Sequence, residues 1–256
     1  MPRFGTFDAS TRAQDVPKIA SFDVADLALG AVSVLHVGYE TAGSGSAETL
    51  PPALNPSVPP HLTWLFYSAE SGPFGPFTLA QTRIGARAGL KPRGFLVSAV
   101  TDNARLAEAL SAGWGYTVRV GAADVRRYYD RIVATAGLGG RTILELSLVD
   151  PELLSGAAVP YTANLQLAHT PLGLRLVQVD AEYVIHKAEV GQPELLCFDA
   201  GAWGDDRLQP TAPIVGSATD AELTLPGLRF VCDPDRPATE GTVRLPARDV
   251  VLPDGP

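Results

Sequence analysis

The chain has 256 residues, enough to bury one large hydrophobic core or two smaller ones. Hydrophobic residues make up 46% and charged residues 19%, the balance of a soluble globular protein, and no run of about 18 apolar residues is present that could span a bilayer. A net charge of −8 argues against a nucleic-acid partner, which calls for clustered Lys and Arg.

The opening MPRFGTFDAS lacks the apolar centre of a signal peptide, so a cytoplasmic location is expected. Most of the remaining chain consists of short apolar segments rich in β-branched or aromatic residues, punctuated by Gly, Pro and Asp. The expected strands begin with AVSVLHVGYE (31–40), followed by AGSGSAE (42–48) as a flexible loop and LPPALNPSVPPH (50–61) as an extended connector. LTWLFYS (62–68), FTLAQTRIGA (77–86) and RGFLVSAV (93–100) are the next strands. TDNARLAEALSAG (101–113) is the one clear helix, with Asp102 or Asn103 as N-cap, Leu106 and Leu110 four apart, and Gly113 as the stop. YTVRVG (116–121) is extended, and AADVRRYYD (122–130) is expected as a short second helix. Strands then recur at DRIVATAG (130–137), TILELSLVD (142–150), YTANLQLAHT (161–170), LRLVQVDAEYVIHKAEV (174–190), ELLCFD (194–199) and AELTLPGLRFVCD (221–233). The Pro- and Asp-rich tail, 234–256, is expected to pack loosely or wrap the surface. Many strands at regular spacing predict a mainly β protein with few helices, its antiparallel sheets packed as a sandwich or closed into a barrel. With no internal repeat and no boundary, 1–256 reads as a single domain.

Familiar catalytic patterns are missing. His36, His61, His169 and His186 are scattered, and Cys197 and Cys232 are too few for a zinc site or a disulfide scaffold, so no metal is expected. AGSGSAE lacks the G-x-S-x-G spacing of a nucleophile elbow. AGLGGRT (136–142) fits neither G-x-G-x-x-G nor a P-loop and reads as a turn between strands, so no cofactor is expected. An amine nucleophile would have only Lys18, Lys91 and Lys187 to draw on, besides the amino terminus.

Three stretches, in order and spacing, resemble the acetoacetate decarboxylase superfamily: ESGPFGPFTLAQTRI (70–84), SAVTDNARLAEALSAGWGYTVRVG (98–121), and the closing segment 179–233 from VDAEYVIHKAEV to LRFVCD. The likeness runs from about residue 25 to 233 and implies a β-cone or double-barrel fold around a central small-molecule pocket, usually in a homo-oligomer. The family's chemistry implies a lysine that forms a Schiff base with a keto acid, its pKa lowered by desolvation and a neighbouring lysine. Laid on that motif, Tyr116 matches a tyrosine, Thr117 replaces a proline, Val118 stands at the nucleophile and Arg119 at its partner. The family's glutamates fall on Leu79 and near Trp64, and its N-terminal arginine near Val32. Valine cannot form an imine, and arginine offers no free amine. Lys91 and Lys187 remain as alternative imine formers.

In an extended strand Tyr116, Val118 and Val120 share one face, and Thr117 and Arg119 the other. If the motif still faces the pocket, then Val118, Leu79 and Tyr116 line it, with Trp64, Gln81 and Trp114 as further candidate lining residues. Tyr116 reads as a polar handle toward a carbonyl or as a packed tyrosine, and Arg119 as an enolate or carboxylate binder or a structural arginine. Glu70 reads as a base at the glycine-rich turn or a solvated loop acid. The expected function is a cofactor-independent lyase, isomerase or cyclase acting on a carbonyl-bearing, fairly apolar metabolite. The alternatives are a non-catalytic small-molecule-binding protein, and a decarboxylase using Lys91 or Lys187.

Overall fold

The computed structural model describes residues 4–246. In chain order its elements are β1 (Leu27–Thr41), α1 (Gly43–Thr49), β2 (Asn55–Pro56), β3 (His61–Ala69), β4 (Phe77–Ala88) and β5 (Lys91–Thr101). They continue with α2 (Ala104–Trp114), β6 (Val118–Val120), β7 (Ala122–Arg127), β8 (Arg131–Leu138), β9 (Arg141–Leu154) and β10 (Asn164–Thr170). The last are β11 (Gly173–Val179), β12 (Glu182–Phe198), β13 (Pro210–Leu225), β14 (Phe230–Cys232), α3 (Ala238–Gly241) and β15 (Thr242–Arg244).

All the strands join one sheet, ordered β15-β14-β11-β10-β5-β4-β3-β1-β13-β12-β9-β8-β7, with β2 added to β4 and β6 to β5. Pairing is antiparallel except where β5 meets β10 and β6, which run parallel to it. The sheet curls so far that β7 returns against β3, β4 and β5. It therefore buries both of its faces, in two separate apolar cores. Strand periodicity sorts the side chains: on β3, Trp64 and Phe66 enter the first core, while Leu65 and Tyr67 enter the second. On β4, Ala80 and Ile84 face the first core, and Phe77 and Leu79 the second.

The mainly β expectation holds, and several local expectations differ, among them the strand expected at 221–233, which breaks over residues 226–229 between β13 and β14. AGSGSAE lies within α1, because its end packs down: the amide of Thr6 donates to the Ala47 carbonyl and that of Phe7 to the Leu50 carbonyl. Residues 122–127 form β7 rather than a helix, since each pairs with a residue of β8. The long apolar segment 174–190 divides into β11 and β12, and β12 continues through Pro193 to Phe198, absorbing the separate strand expected at 194–199. Part of the tail is ordered, with α3 followed by β15 paired to β14, and residues 247–256 lie outside the described segment.

Helix α2 starts and stops for local reasons. The Asn103 side chain accepts the Leu106 amide at 3.0 Å, so Asn103 rather than Asp102 is the N-cap. Its Nδ2 also donates to the carbonyls of Phe74 and Pro76, tying the helix to the loop before β4. Asp102 instead accepts the Thr78 amide at 2.7 Å. The stop is Gly115, two residues beyond the glycine expected, with φ +73° and no room for a Cβ, which would sit 2.8 Å from Ala168 Cβ. That turn aims the chain at Tyr116. Replacing Asn103 by Ala removes the cap and both anchors and should cost roughly 1–2 kcal/mol in urea denaturation. Asn103→Asp keeps the cap acceptor and should fall between the two; an unchanged midpoint for Asn103→Ala would contradict this assignment.

Candidate active site

The second core has an apolar end and a polar end. At its apolar end Tyr67, Tyr116 and Tyr183 meet Leu79, Leu223 and Leu225 around a chamber of only about 10 Å³, room for about one water. Tyr67 and Tyr183 share a hydrogen bond of 2.9 Å between their hydroxyls. Tyr183 stacks on Tyr161 at 4.3 Å, and the Tyr161 hydroxyl meets Thr219 Oγ1 at 2.7 Å. Burial raises the pKa of all four tyrosines, which keeps them neutral hydrogen-bonding groups at physiological pH.

Behind the chamber lies a layer of buried amides and one cation. Asn164 Nδ2 donates to Tyr116 Oη at 2.9 Å and to Gln81 Oε1 at 3.1 Å. Its Oδ1 accepts Arg83 Nη1 at 2.8 Å, and the same nitrogen donates to the Thr162 carbonyl at 3.1 Å. Arg83 Nε reaches Thr63 Oγ1 at 3.3 Å. Arg83 is only 3% exposed, and no acid pairs with it among the described residues. Leu79, Gln81 and Arg83 thus line one face of β4 and carry the interior from apolar to cationic.

Beyond Arg83 opens a cavity of about 390 Å³, also lined by His36, His61, Thr63 and Ser217. His36 Nε2 is buried without a partner there. Its pKa is lowered to about 3, by burial first and then by the positive charge of Arg83 and of His61.

The sequence-predicted residues separate. Tyr116, Leu79 and Gln81 line the chamber together. Trp64 lies on the opposite face of β3, in the first core against Tyr39 and Phe198. Trp114 is buried in the second core, its indole donating to the Pro226 carbonyl at 2.8 Å. Val118 is half-buried against that core, and with Arg119 it lines a different cavity of about 450 Å³ beside Arg12 and Trp203. Arg119 Nη2 reaches Ser98 Oγ there at 3.3 Å. The two share that cavity because β6 is only three residues long and Thr117, before it, lines the same wall. Glu70 is exposed just past the end of β3, so Tyr116, Arg119 and Glu70 do not converge. None of the three lysines lines the chamber or either cavity. Asn164, Tyr67, Tyr161, Tyr183 and His36 went unseen in the sequence. Their one local signal is polar side chains recurring on alternate positions of otherwise apolar strands, as with Asn164 and Gln166 in NLQLAHT.

Among the described residues, no group of three or more His, Cys, Asp or Glu could hold a metal ion. No helix is long and apolar enough to cross a membrane.

His36 is half-buried with its Nε2 fully shielded, and holding the imidazole neutral there couples folding to pH. The unfolded chain takes up this proton near pH 6.5 and the folded chain only near 3. Stability is therefore full above about pH 6.5 and falls as pH drops toward 3, by at most about 1.4 kcal/mol per pH unit for this one group. His36→Phe should flatten the fall between pH 6 and 4 in urea melts by about that slope. Identical slopes for the two proteins would contradict a neutral His36 in the folded chain.

No family profile matches the sequence, and no curated protein matches it significantly. Solved structures do match in fold. Acetoacetate decarboxylase from Legionella pneumophila superposes with a TM-score of 0.70 at 17% identity, covering 84% of this chain and 88% of that one. The enduracididine biosynthesis enzyme MppR in complex with pyruvate gives 0.65 at 16% identity, over 79% of this chain and 89% of that one. An acetoacetate decarboxylase-like enzyme from Sphingomonas wittichii RW1 gives 0.64 at 15% identity, over 80% and 92%. With no long-range sequence match beside them, these superpositions speak to architecture: the chain is a divergent protein of the acetoacetate decarboxylase fold.

Proposed function

We propose that this protein is a cofactor-independent enzyme that acts on a carbonyl-bearing, fairly apolar metabolite without forming an imine. The observation that carries this reading is the convergence of Tyr67, Tyr116 and Tyr183 in a small, mostly apolar chamber, with Tyr116 Oη held by the Asn164 amide. A neutral phenol in a water-excluding site can polarise a carbonyl or hold an enolate through a hydrogen bond that strengthens as charge develops. No lysine and no carboxylate lines the chamber, so neither covalent capture nor a carboxylate base is at hand. The chemistry that remains is ring closure or isomerisation, where positioning and carbonyl polarisation suffice. The reading also extends the fold likeness, since the neighbours with this architecture are enzymes. A homo-oligomer is part of the same reading.

One observation favours a second reading. A chamber of about 10 Å³ admits no metabolite until its side chains rearrange, which suits a non-catalytic protein whose former pocket is filled.

Mass spectrometry of small molecules released from the natively purified protein separates the two. A carbonyl-bearing metabolite that the protein converts on re-addition, with kcat about 10²-fold lower or less for Tyr116→Phe, is the expected outcome. A metabolite recovered unchanged by both proteins would support the second reading and sink the first.

A further inference from the structure

The cavity above Arg83 carries an inference that does not depend on chemistry at Tyr116. We propose that it is a binding site for an amphipathic carboxylic acid, whose carboxylate pairs with Arg83 while its apolar body lies against Val159, Val190 and Val215.

The first ground is charge. This is an acidic chain, with a net charge of −8, yet the wall of the cavity holds the guanidinium groups of Arg83 and Arg93 and no Asp or Glu. A buried charge is normally paired, because desolvating it alone is costly. Arg83 is almost fully buried, and its three hydrogen bonds all go to neutral acceptors. They use Nε and Nη1, leaving Nη2 without a hydrogen bond among the described residues. A guanidinium has five N–H donors in a planar fork suited to a carboxylate.

The second ground is that the space is built for these groups. Gly85 on β4 pairs with Gly94 on β5 across the sheet. A Cβ at Gly94 would lie 3.0 Å from the Arg83 guanidinium carbon, and one at Gly85 would lie 2.3 Å from His61 Nε2. Any larger residue at either position displaces the guanidinium or the imidazole from the cavity wall.

The third ground is unspent polarity around the same volume. His36 Nε2 and Ser217 Oγ are buried without partners, and both residues line the cavity. The rest of the wall is apolar, from Leu154 through Pro160 to Val215, and the volume of about 390 Å³ falls in the range of ligand pockets. The wall has no lysine and no helix N-terminus, and Arg93 spends Nη1 on the Pro92 carbonyl, so the Nη2 of Arg83 is the donor on offer, which suits a monoanion better than a phosphate dianion.

The probe is octanoate, with octanamide as its neutral isostere, titrated calorimetrically into the full-length protein in a buffer free of carboxylates and phosphate. Octanoate should bind about tenfold or more tighter than octanamide, and Arg83→Gln should erase that difference while leaving octanamide binding unchanged. Ala158→Trp at the exposed rim places bulk in the mouth without touching the buried layer, and should abolish binding of both probes. It serves as the test if Arg83→Gln fails to fold. Tyr116→Phe should bind octanoate like the wild type, which separates this site from the reaction proposed above. Equal affinity for the two probes, octanoate binding unaffected by Arg83→Gln or by Ala158→Trp, or no binding up to the solubility limit would each overturn the proposal.

Discussion

A guanidinium held inside a β-structure without a carboxylate beside it is the constraint on which the interior of this protein depends. Arg83 keeps its charge out of water by spending its donors on Thr63, Thr162 and Asn164. Because Asn164 accepts from Arg83 through its Oδ1, its amide nitrogen is left to serve Gln81 and Tyr116. One buried cation thereby orients an amide, and the amide orients a phenol, so that Arg83, Asn164, Gln81 and Tyr116 form one connected hydrogen-bonded chain. The glycine pair at 85 and 94 makes room for the arrangement, and the parallel pairing of β10 with β5 brings Asn164 to it, opposite Gly94.

That chain divides the interior into two regions of different character. Toward Tyr116 the space is aromatic and nearly full; toward Arg83 it is roomy and cationic. The chamber beside Tyr116 presents hydrocarbon and neutral phenols. The Arg83 cation sits four positions along β4 from Leu79, on the same face.

The sequence made the architecture legible because its signals were local. Short apolar, β-branched and aromatic runs such as LTWLFYS and FTLAQTRIGA mark strands, and Asn103 and the glycines after Leu110 bracket the one long helix. It misplaced elements where pairing partners outweighed local preference, as when β8 drew residues 122–127 into a strand. The same limit applies to the site. Leu79, Gln81 and Arg83 share a face by simple periodicity, so their common side could be read directly. Trp64 could not be assigned to a core, because either face of β3 is apolar. Val118 and Arg119, adjacent and expected on opposite faces, line one cavity, since a three-residue strand with an irregular entry does not enforce alternation over that length. Asn164 meets Tyr116 from 48 residues away, a contact that only the folded sheet defines.

A crystal structure of the protein grown with octanoate bears most directly on this account of the interior. It predicts a carboxylate within hydrogen-bonding distance of Arg83 Nη2, with the alkyl chain directed along Val159, Val190 and Val215 and Asn164 still bridging Arg83 to Tyr116. Arg83 paired instead with an acid of the chain, or the ligand bound elsewhere with this cavity unoccupied, would contradict it.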